Sequence, residues 1–131
     1  MDNQEVKAEL SKINDYLNRC LWMDFEVCQM SFISIEIAGR VDTSVNKYAI
    51  SIIFEYPTFI QGTICWNLDN SRSFIEKASK EEFIEINKKY QIEKGSILFK
   101  IYMEDFEESA FYIASKGIKS NIYIENPLSC L

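Results

Sequence analysis

The chain is 131 residues long, 47% apolar and 26% charged, with four glycines and two prolines. That balance excludes a disordered chain and fits one α+β domain, 1–131, with short connections. Fourteen basic residues against twenty acidic ones leave a net charge of −6, which opposes a nucleic-acid or anionic-membrane partner and favours a basic protein.

The acidic, polar start Met1-Asp2-Asn3-Gln4-Glu5 is the reverse of a secretory signal, and no apolar run reaches the length of a membrane span. The expected location is therefore the cytoplasm. Residues 3–21 predict a helix, because Val6, Leu10, Ile13, Leu17 and Leu21 recur at four- and three-residue steps and form one apolar stripe. Asp2 and Glu5 match a capping box. The stripe is under three heptads long, so packing across a sheet is favoured over a coiled coil.

From Phe25 to Ala38 the pattern is extended but changes phase: Cys28, Met30 and Phe32 share one face, then Ile33, Ile35 and Ile37 take the other. A bulge, or burial on both faces, would accommodate this. Gly39–Lys47 reads as a polar return loop. The longest alternation follows, with Tyr48, Ile50, Ile52, Phe54 and Tyr56 on one side. After Pro57-Thr58 it resumes with Ile60, Ile64, Trp66 and Leu68. Residues 48–68 are thus expected to form an antiparallel hairpin in the middle of a sheet.

Asp69–Ser73 is turn-rich, and Phe74 and Ile75 anchor a short element. Ser79 and Glu82 match a second capping box, so 80–90 reads as a helix burying Phe83, Ile84 or Ile86, and Tyr90, with a strand at 83–86 as the competing reading. Ser96–Met103 is a strand. For 105–116 the capping pair Asp105 and Glu108 with Gly117 slightly favours a helix. A strand over 109–115, hairpinned onto 96–103, is the alternative. Ile118, Ile122 and Ile124 belong to a last strand. The expected architecture is an N-terminal amphipathic helix on a mainly antiparallel sheet of about five to six strands, with one or two further short helices in the C-terminal half.

The chain has no histidine, which removes the usual general base, the usual triad partner and the commonest metal ligand. Neither phosphate-cradling glycine motif is present. Adjacent acids such as Glu81-Glu82 and Glu107-Glu108 diverge on a helix or strand and read as solvated faces. The four cysteines, Cys20, Cys28, Cys65 and Cys130, form no C-x-x-C pair. Cys28 and Cys65 fall inside apolar strand patterns and read as buried thiols in a reducing compartment. An even count also permits a disulfide of undetermined pairing. The expectation is a protein that is not an enzyme and holds no cofactor or metal.

Two stretches stand out as partner-binding candidates. Glu104, Asp105, Phe106, Glu107 and Glu108 set four carboxylates around one aromatic, suited to a cationic surface or, structurally, to a helix N-terminus. Trp22 and Asp24 lie where the first helix hands over to the first strand. The tryptophan there is either a binding anchor or a plug between helix and sheet.

The junction Trp22-x-Asp24-x-Glu26-Val27, followed by long alternating strands in a small acidic chain, resembles immunity proteins of bacterial toxin–immunity pairs, including those of contact-dependent growth inhibition. The resemblance implies a cytoplasmic toxin inhibitor that binds a cognate and often basic nuclease domain and blocks its active site; the expected state is a monomer or weak dimer. The alternative is a small-ligand-binding or adaptor domain in which Tyr48, Phe54, Tyr56 and Trp66 line a pocket on a sheet face.

Overall fold

The computed structural model describes residues 1–42, 44, 46–104 and 110–127. Helix α1 (Asn3–Leu17) starts where the Asp2 carboxylate accepts the Glu5 N–H at 2.8 Å. Its stripe buries Val6, Ile13, Tyr16 and Leu17, with Leu10 half-covered. The helix closes on Asn18, so Leu21 falls beyond it and is exposed, not part of the stripe.

Among the described residues nine strands follow: β1 (Asp24–Met30), β2 (Ser34–Arg40), β3 (Ile50–Glu55), β4 (Phe59–Gln61), β5 (Cys65–Asn67) and β6 (Ile75–Lys77), then, after helix α2 (Lys80–Tyr90), β7 (Ile97–Ile101), β8 (Phe111–Ser115) and β9 (Gly117–Ile122). The fold is α+β as expected, an N-terminal helix packed on antiparallel sheet with a second short helix, but the strands divide into two sheets in place of one, ordered β5-β1-β2-β3-β9 and β4-β8-β7-β6. Their inner faces share one core, with ring centroids 5.6 Å apart for Phe54 and Phe99, 4.9 Å for Trp66 and Phe111, and 4.5 Å for Phe25 and Phe74. Each such ring removed from water contributes about 1.5–3 kcal/mol. Helix α1 runs alongside β6 and against β9, completing the narrower layer, while α2 lies outside the second sheet.

The hairpin expected over 48–68 does not form. β3 pairs with β2 and β9, β4 with β8, and β5 with β1. The cause is local: Tyr56 takes a left-handed backbone (φ 50) and Pro57 follows, so the chain leaves the first sheet and crosses to the second. Ile50, Ile52 and Phe54 point inward as their alternation implied, whereas Tyr48 and Tyr56 fall outside the strand. The phase change in 25–38 is mainly a turn. β1 and β2 form a hairpin whose bend is held by Ser31 Oγ, which accepts the N–H groups of Ile33 and Ser34 at 3.2 Å each. A register shift between Val27 and Gln29 adds the bulge.

Residues 80–90 are helical, and both arms of the Ser79–Glu82 capping box are made. None of the residues expected to be buried there is buried; Phe83 and Ile86 are half-covered, Ile84 and Tyr90 exposed. The helix favoured over 105–116 is replaced by β8, hairpinned onto β7 in register Ile97↔Ser115 to Ile101↔Phe111, and Gly117 opens β9. The β-forming Phe111, Tyr112 and Ile113 gain a neighbouring strand there, and that outweighs the capping pattern. Asp105, Phe106, Glu107, Glu108 and Cys130 lie outside the described residues. Cys20 is buried, but Cys28 and Cys65 are exposed, contrary to expectation, because both sit on the outward side of their strands. No helix among the described residues is long and apolar enough to cross a membrane.

Candidate partner-binding site

The start of β1 and the end of β5 form one rim of the first sheet. Asp24 stands opposite Asn67, and the Leu68 N–H donates to the Met23 carbonyl at 2.9 Å. The Asn67 carbonyl accepts the Glu104 N–H at 3.2 Å, next to the Leu68↔Met103 bridge. Asp24 and Glu104, eighty positions apart, are therefore drawn to the same strand end by Asn67. Of the proposed acidic cluster, Glu104 is the member that the described residues place, and its side chain is exposed.

Trp22 does not plug the gap between helix and sheet. Met23 does that, fully buried against Gly39, where a Cβ would lie 2.4 Å from its Sδ. Trp22 is 39% exposed and its neighbour Leu21 67%, two large apolar side chains left facing outward. Asn70 steadies this corner by donating to the Leu21 carbonyl at 3.1 Å.

The Asp24 carboxylate makes no hydrogen bond or ion pair among the described residues. Burial with nothing to offset it raises its pKa above the usual value. A partly desolvated carboxylate beside an exposed tryptophan suits an incoming Lys or Arg, whose charge would lower that pKa again. Sequence reasoning found Trp22, Asp24 and Glu104 from residue type, but missed Leu21, Asn67 and Asn70. Asn67 and Asn70 act through backbone contacts that leave no compositional signal.

The outer face of the first sheet carries a more saturated group. Glu26 accepts from the Tyr48 hydroxyl at 2.5 Å and pairs with Arg40 at 3.1 Å, and the Arg40 guanidinium lies 4.6 Å from the Tyr48 ring centre. Glu26 and Arg40 neutralise each other within the fold, while the buried Arg40 Nε has no hydrogen-bond partner among the described residues. The four aromatics expected to line a ligand pocket do not share one: Phe54 and Trp66 are in the core, Tyr48 is on this outer face and Tyr56 is exposed at the crossover. A cleft of about 410 Å³ opens instead between α2 and β4, walled by Phe59 and Tyr90 (ring centroids 5.0 Å apart), with Tyr112 also lining it.

In that cleft Glu82 bonds Lys100 Nζ at 2.7 Å and the Tyr112 hydroxyl at 2.6 Å. Burial alone would raise the Glu82 pKa. The Lys100 ammonium, the Tyr112 hydroxyl and Ser79 outweigh it and hold the carboxyl at about 2. Burial and the Glu82 charge push Tyr112 up to about 12. This trio fastens α2 to the second sheet.

No protein-family model, no curated protein and no solved structure matches this chain.

Proposed function

We propose that the chain is a non-enzymatic binding protein of immunity type, which occupies a basic, nuclease-type toxin domain and blocks its active site. The supporting observation is the rim where the Asp24 carboxylate, unpaired and partly desolvated, follows exposed Leu21 and Trp22 in the chain, with Glu104 tied to the same strand end. A cation from the partner's substrate cleft would pair with Asp24, and the Trp22 ring would supply a desolvated anchor. The net charge of −6 adds long-range attraction to a basic surface and raises the association rate.

Affinity capture from the native strain, followed by kinetics on the captured pair, tests this reading. The expected result is one basic protein held one-to-one, with its activity inhibited and an association rate that falls as salt rises. Neutralising Glu104, Asp105, Glu107 and Glu108 together should slow association. An unchanged rate would clear that cluster of any role, and turnover of a substrate by the pure protein would end the non-enzymatic reading. The cleft under α2 favours a second reading, a small-ligand or adaptor domain, in which a ligand stacks on Phe59 and Tyr90 with no protein partner needed.

A further inference from the structure

The strand edges of the fold are treated unequally. The edge of β6 is occupied by the side chain of Asn14, and the β9 edge by Lys12, which donates to the Ser120 carbonyl at 3.1 Å. β5 is bonded to Glu104 through Asn67. β4 ends the second sheet with no strand on its outer side among the described residues. β5 stops at Cys65 opposite Glu26, which leaves the Cys28–Met30 half of β1 without a neighbour on that side. An uncovered edge of this kind offers unpaired backbone donors and acceptors to any extended chain.

Two depressions flank β4. Ile60 pairs with the fully buried Ile113 and borders a groove of about 390 Å³ lined by Val27, Met30, Gly62 and Ile64. Phe59 and Gln61 pair with Ala114 and Tyr112 on the opposite face and border the cleft under α2, where Glu82, Glu85 and Lys89 lie. Side chains of a strand laid on the β4 edge would alternate between the two. The first groove sets Val27, Met30, Ile60 and Ile64 beside Gln29 and Cys28, and Ile64 is 77% exposed. The second is aromatic with polar and charged walls.

We infer that the free edge of β4 is a docking site for an extended, basic segment of a protein partner. The segment adds as a strand beside Phe59–Gln61, with apolar side chains entering the Val27–Met30–Ile64 groove and basic ones reaching Glu85. Charge decides the occupant: a second copy would bring another −6 to the contact, whereas a cationic strand is attracted. This site lies at the far end of β1 from the Trp22–Asp24 rim, and the two are separable by mutation.

The test uses the full chain and two synthetic peptides, acetyl-(Lys-Val)4-amide and acetyl-(Glu-Val)4-amide, with amide hydrogen exchange read by NMR. The lysine peptide should slow exchange at β4 by about ten-fold at saturation, and the glutamate peptide should not. Ile64→Glu, at an exposed position that leaves the spectrum folded, should abolish protection, and Glu85→Lys should weaken it several-fold. Trp22→Ala should leave it intact. The inference is overturned if β4 is unprotected at millimolar lysine peptide, if both peptides protect equally, or if light scattering shows a dimer with β4 already protected without peptide.

Discussion

The side-chain amide of Asn14 stands in for a neighbouring strand at Ile75: its Nδ2 donates to the Ile75 carbonyl at 2.8 Å, and its Oδ1 accepts the N–H groups of Ile75 and Phe74 at 3.1 and 3.0 Å. One residue on α1 thereby satisfies the backbone at the edge of β6, where Phe74 and Ile75 are otherwise sealed in the core. The same contact fixes the register of helix against sheet.

Asn14→Ala should therefore cost about 2–3 kcal/mol, since backbone groups beside fully buried side chains lose their partners. Asn14→Asp keeps the acceptor but sets a carboxylate oxygen against the Ile75 carbonyl, and should cost about 1–2 kcal/mol at neutral pH. Urea unfolding measures both. A midpoint for the alanine variant equal to wild type would mean that water replaces the amide without loss.

This bond explains why part of the fold was readable in the sequence and part was not. The signals that worked are local. Asp2 and Ser79 cap their helices, and the alternation of Ile50, Ile52 and Phe54 points them inward. What failed depends on partners distant in sequence. Tyr56-Pro57 looks like a hairpin turn until one asks which strands lie beside β3, and the answer is β2 and β9. Ser31–Ile33 contains no glycine, proline or asparagine to mark a turn. At the rim, residue type singled out Asp24 and Trp22, but only the fold joins Asp24 to Glu104 through Asn67.

The Glu82–Lys100–Tyr112 contact predicts acid sensitivity with a definite sign. The folded Glu82 carboxyl titrates at about 2, below its ordinary value of 4.5. Its contribution is thus complete above pH 4.5 and lost as pH falls from there towards 2. Solvent reaches part of the pair, so the contribution is about 1 kcal/mol. Glu82→Gln should lower stability at pH 7 by that amount and flatten the pH dependence of the unfolding free energy across this window. A variant that keeps the wild-type slope there would assign the acid sensitivity to other carboxylates.

Gly62 joins β4 to β5 against the face of Phe111, and a Cβ added there would lie 2.2 Å from Cδ2 of that ring. The ring belongs to the core and also packs on Trp66, so it has little room to yield. Gly62→Ala should destabilise the fold by about 1–3 kcal/mol and shift the near-ultraviolet signal of Trp66. Paired with Phe111→Leu, the alanine should cost less than it does alone, because the smaller side chain relieves the collision. Strict additivity in that double-mutant cycle would mean that the loop moves away instead of pressing on the ring.

Asp24 should trade stability for binding. Burial without a partner raises its folded pKa above 3.8, so the fold favours the protonated acid and is penalised as pH rises through that pKa. Asp24→Asn removes the penalty and should stabilise the free protein at pH 7 by at most about 0.5 kcal/mol, most of the burial cost being screened by solvent. The same change should weaken a cationic partner by about 1–3 kcal/mol, because the partner's charge then enters the rim unmatched. Trp22→Ala should leave stability nearly unchanged and speed dissociation, as expected of an anchor outside the core. Thermal melts of the free protein and dissociation rates of the complex separate the two effects. A loss of stability in Asp24→Asn would instead make the carboxylate a structural group and remove the rim as the binding site.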